Sequence, residues 1–581
     1  MILQALNEYY TRRRKFDLNS LPPPGMEQVE ISFVVVLHKD GRFFNLTDMR
    51  EGNGKNKRGK FIIAPQSCDR TGQNAWATAF LLWDHPRYVF GMRTPKDVAD
   101  DGIPSKRLAS FKERIIKSFP DPTVDEGINA VYRFVDRAEF SQIESHPLWQ
   151  EIQQTTGNVS FRLTTDTPAQ LICSRPAVIA VAEKELEDTD GYKIEQCLVS
   201  GEVGPIAILH PATPLPSKDS KSTAKLVSFQ KGSGYDSYGK SQGNNAPVGK
   251  RTAFAYTTAL NHLLAKGSKQ RIQVGDASTV FWCATPGHPM EELFPGFFGE
   301  PDKDNPDIGV NAIATLLSAP KTGVGSFEDD GTRFYVLGLA PNAARIAVRF
   351  WHVKTVGELA VNIRKHFDDL RITHAPHEPE TLSLFRLLVA TATLGKAENI
   401  PPNLGGDMMR SVIEGVPYPQ TLLAGAVRRI RAEQEITYPR AAIIKACINR
   451  YSENEELTVS LDENNTNTAY RLGRLFAVLE RTQERANPNI NATIRDRYYG
   501  AASSTPVTVF STLLKLKNHH LAKLDNKGEA INCEKLLGQI MNGITDFPAH
   551  LDLQNQGRFA IGYYHQRQAF FTKSESTNKG E

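Results

Sequence analysis

EISFVVVLHKDGRFFNLTDM, residues 30–49, is the stretch that decides the fold of the N-terminal part of the chain. Two runs of β-branched and aromatic residues flank Asp40 and Gly41, a residue pair that favours the tight turn of a β-hairpin. A further short apolar run, FIIAP at residues 61–65, follows a loop rich in glycine and lysine. The sequence therefore predicts two antiparallel strands joined at residues 39–41 and a third strand after them.

The rest of the chain changes character once. A first helix is predicted over Leu3–Arg14, and short strands, helices and long Gly/Pro/Ser loops then alternate to about residue 355. From about residue 380, apolar residues recur at helical spacing in seven segments: 383–394, 419–433, 439–451, 468–486, 506–524, 534–544 and 558–571. The pattern predicts an α+β protein, with a mixed α/β region at 1–375 and an all-α helical bundle at 376–581. A subdivision of the first region near 150–215 stays open.

Composition excludes several classes of protein. No apolar segment approaches the roughly 20 residues that a membrane helix needs, and the N-terminal basic cluster follows the apolar residues, the reverse of a secretory signal. The six cysteines form no C-x-x-C pair, which argues against a disulfide framework or a zinc ribbon. We therefore expect a cytoplasmic protein that needs no cofactor.

GYDSYGKS, residues 234–241, matches the spacing of a nucleotide-binding phosphate loop. Such a loop needs a strand before it, for which Leu226–Phe229 is a candidate, and a helix directly after its Lys-Ser pair. Lys240 and Ser241 instead lead into QGNNAP, which contains turn formers and a proline. The apolar runs 33–37 and 177–181, considered as strands, also lack the following aspartate that would hold magnesium. A P-loop-type nucleotide hydrolase using 234–241 is the alternative function.

Nuclease chemistry has equally little support in the sequence. The acidic clusters 185–190 and 328–330 lie in segments whose sequence is typical of loops, with no histidine at the spacing of metal ligands. His519 and His520 are adjacent, so they point to different faces of a helix.

Positive charge is local, because the net charge is only +4. One basic run occupies residues 55–60 and another lies between residues 218 and 251. In the helix predicted at 468–486, Leu472, Leu475, Phe476 and Leu479 form the core stripe, and the arginines lie toward other faces. A solvated face is one reading of such charges, and a groove that follows a DNA backbone is the other.

Several long stretches together resemble one family. They are MILQALNEYY (1–10), PPPG before the EISFVVVL strand, LLWDHPRYVFG (81–91), the segment 226–264, TVFWCAT (279–285) and FYVLGLAPNAARIAVRFW (334–351). They closely resemble the large subunit of the type I-C CRISPR Cascade (the Csd family), an RNA-guided surveillance complex, and the resemblance runs nearly end to end.

The resemblance implies a non-catalytic subunit. In that family the large subunit finds the protospacer-adjacent motif in double-stranded target DNA, a pyrimidine-rich motif such as TTC. It also helps to open the duplex and supports recruitment of a separate helicase-nuclease. The implied partners are the CRISPR RNA complex, the Cascade backbone, guide-end and small subunits, and the displaced single-stranded DNA.

The glycine-rich loop then reads as a DNA-binding loop, because Asn and Gln can contact base edges, Tyr can stack and Lys can hold phosphates. RTGQNAW, residues 70–76, could present an amide to a groove or form a polar surface turn, and both readings stay open. A purely architectural protein, whose basic loops only bridge subunits, is a third possibility. The residues predicted to bind DNA are Lys55, Lys57, Arg58 and Lys60; Arg70, Gln73 and Asn74; Tyr235, Ser237, Tyr238, Lys240, Gln242, Asn244, Asn245, Lys250 and Arg251; and, toward the displaced strand, Arg471, Arg474, Arg481 and Lys515.

The resemblance also implies that small helical subunits are made from the 3′ part of the same gene by internal translation. A start within 455–468 keeps about four of the predicted helices. No methionine falls in that window. A non-AUG start at Val459 is therefore expected, with Met409 as the fallback.

Overall fold

The computed structural model describes the following parts of the chain: residues 1–52, 57–68, 70, 74–93, 102–154, 157–232, 234, 236, 238–299, 327–342, 345–452 and 456–571. Packing divides the chain into two compact units. The first comprises Met1–Pro214 and Ser222–His262, and the second comprises Leu215–Lys221 and Leu263–Glu581. The predicted boundary at residue 375 therefore marks a change in secondary structure within the second unit, after its last strand, and not the boundary between the two units.

The first unit is organised around one long strand, β1 (Met26–Leu37). Strands β2 (Phe43–Asp48) and β3 (Lys60–Pro65) pair antiparallel with successive parts of β1. β5 (Asn158–Leu163) pairs parallel with β1, and the two-residue β4 (Trp83–Asp84) pairs with β5. Every residue of β1 from 31 to 37 is buried, because this central strand is covered on both faces. The predicted hairpin and third strand are confirmed.

The hairpin turn is tied to the helical layer of the same unit. Gly41 has φ +83°, and an added Cβ would lie 2.8 Å from the carbonyl oxygen of Ala130. Glycine is needed there both for the left-handed backbone and for the close approach.

The helices up to the unit boundary are α1 (Ile2–Phe16), α2 (Pro86–Val89), α3 (Ile103–Ser118), α4 (Glu126–Arg137), α5 (Ser141–Glu144), α6 (Trp149–Gln154), α7 (Pro176–Glu187) and α8 (Lys250–Leu264). The first helix is slightly longer than predicted. The apolar run 177–181, considered as a strand, lies in α7. Pro176 at the first helical position favours that start, because its fixed φ suits a helix and its missing N–H would have had no partner.

The second unit begins with a four-stranded antiparallel sheet in the order β11-β10-β9-β8. Its strands are β8 (Arg271–Val274), β9 (Ala277–Cys283), β10 (Arg333–Asn342) and β11 (Arg345–Thr355). The separate hairpin of β6 (Ile194–Gln196) and β7 (Val203–Pro205) belongs to the first unit.

Helices make up the rest of the second unit: α9 (Pro289–Phe298), α10 (Val356–Leu370), α11 (Leu384–Thr391), α12 (Leu404–Glu414), α13 (Gln420–Glu433), α14 (Tyr438–Tyr451), α15 (Thr468–Ala486), α16 (Ile494–Ala502), α17 (Phe510–Ala522), α18 (Lys527–Met541) and α19 (Leu553–Ala569). All seven predicted segments are helical, and α12 and α16 were not predicted. The α+β class and the helical C-terminal region are confirmed.

Helices α15 and α19 pack with their backbones in close contact. An added Cβ at Gly473 would lie 2.0 Å from the carbonyl oxygen of Phe559, and one at Gly562 would lie 2.0 Å from that of Tyr470. The predicted core stripe of Leu472, Leu475, Phe476 and Leu479 is buried beside this crossing. Each helix therefore contributes one glycine to a contact that no larger side chain permits.

Replacing Gly473 or Gly562 by alanine should force these helices apart and destabilise the protein by about 1–3 kcal/mol. Gly538→Ala in α18 is the matched control, because no atom lies within 4 Å of its added Cβ. The control should stabilise by about 0.5–1 kcal/mol through helix propensity. Urea unfolding followed by circular dichroism measures both effects, and a Gly473→Ala or Gly562→Ala midpoint at or above wild type would contradict the close packing.

Three buried histidines each share a hydrogen bond with a buried tyrosine. The Nδ1–Oη distances are 2.6 Å for His210–Tyr256, 2.6 Å for His366–Tyr418 and 2.9 Å for Tyr470–His565. Burial lowers the histidine pKa values to about 4, 3 and 3, respectively. These imidazoles are therefore neutral in the folded protein.

The unfolded chain binds protons at these three sites near pH 6.5, whereas the folded chain does not bind them until the pH is far lower. The free energy of unfolding should therefore fall as the pH drops below about 6.5, by about 1.4 kcal/mol per pH unit for each histidine. Urea unfolding between pH 7.5 and 5.5 measures the slope. His366→Gln should flatten it and the exposed His519→Gln should not, so an unchanged slope in His366→Gln would contradict the assignment.

Candidate nucleic-acid interface

The described part of the predicted basic run, residues 57–60, lies between β2 and β3, both of which pair with β1. Backbone bonds of 2.8 and 2.9 Å join Glu51 and Arg58 between the two strands. Lys60 Nζ lies 2.9 Å from a Glu51 carboxylate oxygen, and Lys57 Nζ lies 3.6 Å from Asp48. These pairs are solvent-exposed and therefore weak, so the lysines stay accessible to phosphate. Arg58 is exposed, and Lys55 lies outside the described residues.

Arg70 was predicted to contact DNA, but the structure places it inside the first unit. Its guanidinium carbon lies 3.7 Å from the Phe80 ring centroid and 3.8 Å from that of Tyr88. Its Nη2 pairs with Asp84, whose side chain is fully buried, and its Nε donates to the carbonyl of Thr78 at 2.6 Å. Burial raises the pKa of Asp84, which Arg70 opposes. The cation neutralises an internal carboxylate, so Arg70 supports a loop and does not offer its charge to DNA.

That loop carries Asn74. Asn74 is exposed and immediately precedes the 3₁₀ turn Ala75–Ala77, whose first carbonyl accepts a bond of 2.7 Å from Tyr88 Oη. The phenol that stacks on Arg70 thus also fixes the turn. The structure therefore presents the amide of Asn74 on a rigid support, whereas Gln73 lies outside the described residues.

Two residues beside Asn74 were missed by the sequence analysis. Trp76 is half-exposed, and the Nζ of Lys106, in the first turns of α3, lies 5.5 Å from its ring centroid. The indole offers a surface for stacking and the ammonium a contact for phosphate. The letters RTGQNAW include the tryptophan, but only the packing of α3 against this turn brings Lys106 to it.

His85 lies near several cations. Its pKa is lowered to about 4, first by burial and then by the charges of Arg87, Arg70 and Arg107.

The glycine-rich loop at 230–251 is organised by Asp236. Its carboxylate accepts bonds from the backbone N–H of Gly232 at 3.2 Å, from that of Gln242 at 3.0 Å and from the Asn245 amide at 3.2 Å. Asn245 was predicted to contact bases, but its amide nitrogen donates hydrogen bonds within the loop. Asn244 and Gln242 are half-buried beside it, and Tyr235 and Ser237 lie outside the described residues.

Tyr238 and Lys240 are the members of this loop that remain available. Tyr238 is fully exposed with φ +52°, and Lys240 is half-exposed. A ring and an ammonium at a loop tip are compatible with the predicted contact to DNA.

The same loop lacks the geometry of a nucleotide-binding phosphate loop. Leu226–Phe229 does not form the expected strand, and Lys240-Ser241 leads into a 3₁₀ turn at Gln242–Asn245. The next α-helix, α8, does not start until Lys250. No helix N-terminus therefore follows the Lys-Ser pair to receive phosphates.

Lys250 and Arg251 were predicted to hold DNA, and both contact α7; the Arg251 side chain is nevertheless 54 % exposed and stays accessible to phosphate. Lys250 Nζ donates to the carbonyls of Glu185 at 2.8 Å and Asp188 at 3.2 Å, at the C-terminal end of that helix. Arg251 pairs with Glu183 and Glu187 at 3.1 and 3.0 Å. Cations are favoured at a helix C-terminus, and here they join α8 to α7.

The arginines of α15 divide into two groups. Arg474 is buried, with Nε donating to Gln566 Oε1 at 3.1 Å and Nη1 to the carbonyl of Glu463 at 3.1 Å. Arg471 Nε donates to the carbonyl of Asn465 at 2.6 Å. These two predicted DNA contacts therefore hold the bundle together. Arg481 is partly exposed and Lys515 is exposed, so both remain accessible.

Within the described residues, no group of three or more His, Cys, Asp or Glu side chains is placed to hold a metal ion. In the same part of the chain, none of the helices has both the length and the apolar character to cross a bilayer.

Comparison with known families identifies the chain. A family model described as CRISPR-associated protein (Cas_Csd1) matches residues 6–571, which is nearly the whole sequence. The chain belongs to this family and is a CRISPR-associated subunit of a Cascade complex, so the resemblance carried by its long motifs is confirmed. A search of curated proteins gives no match.

Arg70→Gln should leave the buried Asp84 without its cation and destabilise the first unit by about 3–5 kcal/mol. Asn74→Ala, on the surface of the same loop, should change stability by less than about 0.5 kcal/mol. Urea unfolding compares the two variants. Equal stability of Arg70→Gln and wild type would show that Arg70 does not support the loop and would restore it as a candidate DNA contact.

Proposed function

We propose that this protein is the large subunit of a type I-C complex and recognises the motif beside the DNA target through Asn74. The observation that carries the proposal is the exposed Asn74 at the start of a 3₁₀ turn that Tyr88 holds, with Trp76 in that turn and Lys106 5.5 Å from the indole ring centroid, in a member of the Csd1 family. Recognition in the duplex is followed by strand opening, stabilisation of the displaced strand and recruitment of a helicase-nuclease.

Asn74, Lys106 and Trp76 would make three different kinds of contact with DNA. An amide carries a donor and an acceptor and can bond both atoms of an adenine edge, or a single donor or acceptor in the minor groove. Lys106 adds a phosphate contact, which fixes the register of the duplex without reading sequence. Trp76 offers an apolar surface of the kind that unstacks a base step and starts the opening of a duplex.

Several partners follow from membership of such a complex. The guide RNA and the backbone, guide-end and small subunits supply pairing to the target strand, which leaves this subunit to read only the flanking motif. Lysines 57, 60 and 240 can then hold phosphates on the duplex, and Arg481 and Lys515 can hold the displaced strand.

The proposed role needs no catalysis by this chain. The phosphate-loop match lacks the helix start that nucleotide binding requires. In the acidic cluster at 185–190, the carbonyls of Glu185 and Asp188 accept hydrogen bonds from Lys250 of α8. An ATPase test still discriminates between the functions, because turnover that Lys240→Ala abolishes would favour the nucleotide hydrolase.

Asn74→Ala should weaken binding of the assembled complex by about 1–3 kcal/mol, and only on duplexes that carry the correct flanking motif. Lys106→Gln should instead weaken binding to correct and scrambled duplexes alike and reduce the slope of log K against log salt by about 0.9. Lys117→Gln, which removes the same charge from the last turn of the same helix, is the control and should change neither quantity.

Electrophoretic mobility shifts at several salt concentrations separate these outcomes. Equal losses by Asn74→Ala on correct and scrambled motifs would contradict base reading. Wild-type binding by both Asn74→Ala and Lys106→Gln would favour the purely architectural protein.

We also propose that the bundle from residue 459 onward is produced separately as a small subunit. Helices α15 to α19 lie within that segment, and the closely packed α15–α19 pair is intact in it. A start at Met409 would instead cut through α12, which spans Leu404–Glu414. The structure thus favours Val459 over the methionine.

The short product loses the packing of α19 on α13 and α14 and the hydrogen bond of 2.9 Å from Tyr564 Oη to the carbonyl of Thr373. Arg558 pairs with Glu456 at 2.5 and 2.8 Å, and Gly557 packs against Ile444. Expression of the single gene and intact-mass measurement of the assembled complex should show a C-terminal fragment beginning near residue 459. A lone species of 64.6 kDa would contradict internal translation.

A further inference from the structure

A cavity of about 570 Å³ lies in the C-terminal bundle between α15, α18 and Phe570 at the end of α19. Its size falls within the range of sites for small molecules. Val478, Leu536 and Phe570 give it an apolar surface, and Arg481, Arg485 and Asn532 give it a polar one. A ligand that suits it has a flat apolar part and an anionic part.

The charge of the cavity is positive. Arg481 and Arg485 lie one turn apart on α15, and Arg567 lies nearby on α19. Arg567 takes the nearest carboxylate oxygen of Glu484, at 2.8 Å, which leaves Arg481 at 3.8 Å from that group. Arg485 lies 3.3 Å from Glu529. Arg567 also lies 3.8 Å from Glu480, so each of the three arginines has a carboxylate within 4 Å. The positive excess belongs to the cavity lining, where Arg481 and Arg485 face the carboxylate of Glu529.

Arg481 is partly buried and faces two aromatic rings. Burial, and then the positive charge of Arg485, lower the pKa of Arg481. The guanidinium carbon of Arg481 also lies 5.8 Å from the ring centroids of Phe570 and Phe571. A guanidinium that already faces aromatic rings can donate its remaining N–H groups to a phosphate while a base stacks beside it.

Asn532 completes the set of groups needed for a nucleotide. It is exposed in α18 and borders the same cavity, so its amide can bond the edge of a base without strict selection. Free phosphate would use the two arginines alone and leave the aromatic and amide groups without a role.

We propose that this cavity binds one nucleotide unit of single-stranded DNA, with its phosphate on Arg481 and Arg485 and its base against Phe570. The proposal rests on the proposed function, because a displaced strand exists only after the duplex opens. It adds a defined subsite, so that one nucleotide is held by stacking as well as by charge.

Two substitutions in the full-length chain give different signatures. Arg481→Gln should weaken binding of a labelled oligothymidylate by about 10-fold and reduce the slope of log K against log salt by about 0.7. Phe570→Leu keeps an apolar side chain but removes the ring, so it should weaken binding by about 5-fold or more and leave the salt slope unchanged.

Arg428→Gln on α13 is the matched control, because this exposed arginine has no hydrogen-bond or ion-pair partner within the described residues and does not border the cavity. It should bind as wild type does. A slope change in the control equal to that of Arg481→Gln would show a diffuse charge effect and overturn the subsite, as would wild-type binding by Phe570→Leu. Tighter binding of the matching oligoribonucleotide would overturn the assignment to DNA.

Photocrosslinking of the unmodified protein provides a readout that does not depend on the folding of a variant. An oligonucleotide with 5-iododeoxyuridine should crosslink to the peptide that contains Phe570, and crosslinks found only elsewhere would overturn the proposal. Motif selectivity on closed duplexes separates the two proposals. Arg481→Gln should preserve this selectivity. Asn74→Ala should lose it, and that result tests the proposed function alone.

Discussion

The buried ion pair between Arg70 and Asp84 is the constraint on which the proposed DNA-reading surface depends. Asp84 is fully buried, and an unpaired carboxylate there would be strongly destabilising. Arg70 supplies the positive charge from a loop, and its guanidinium lies close to the rings of Phe80 and Tyr88. These contacts hold the loop against the sheet. Arg70 also bonds the carbonyl of Thr78, and Tyr88 bonds that of Ala75, so the backbone of the turn that follows Asn74 is held at both ends.

The helical bundle also contains two kinds of charged side chain: those that bond groups in its interior and those that stay accessible to solvent. Inside it, the fully buried carboxylate of Glu480 bonds Tyr563 and Thr493 and lies 3.7 and 3.8 Å from Arg495 and Arg567, respectively. Arg474 is likewise buried, and it donates hydrogen bonds to Gln566 and to the carbonyl of Glu463. Cations that the bundle does not need for its own packing, Arg481 and Lys515 among them, are the ones that remain for nucleic acid.

Local patterns in the sequence predicted many of the elements, although α12 and α16 were not predicted and Leu226–Phe229 does not form a strand. Asp40-Gly41 between apolar runs predicted the hairpin, and apolar spacing predicted the C-terminal helices, because both signals lie within one element. The roles of the charged residues were not predictable in this way. Arg70, Lys250 and Arg474 are indistinguishable from surface cations in the sequence, since their partners lie 8 to 92 residues away. Lys106 was missed for the same reason, because only the packing of α3 brings it to Trp76.

A structure of the assembled complex on a target duplex with its flanking motif tests the central claim most directly. The account predicts the Asn74 amide within about 3.2 Å of a base edge of the motif, with Lys106 on an adjacent phosphate and Arg70 still paired with Asp84. A complex in which the loop at residues 74–77 lies away from the DNA, while another part of the chain contacts the motif, would contradict it.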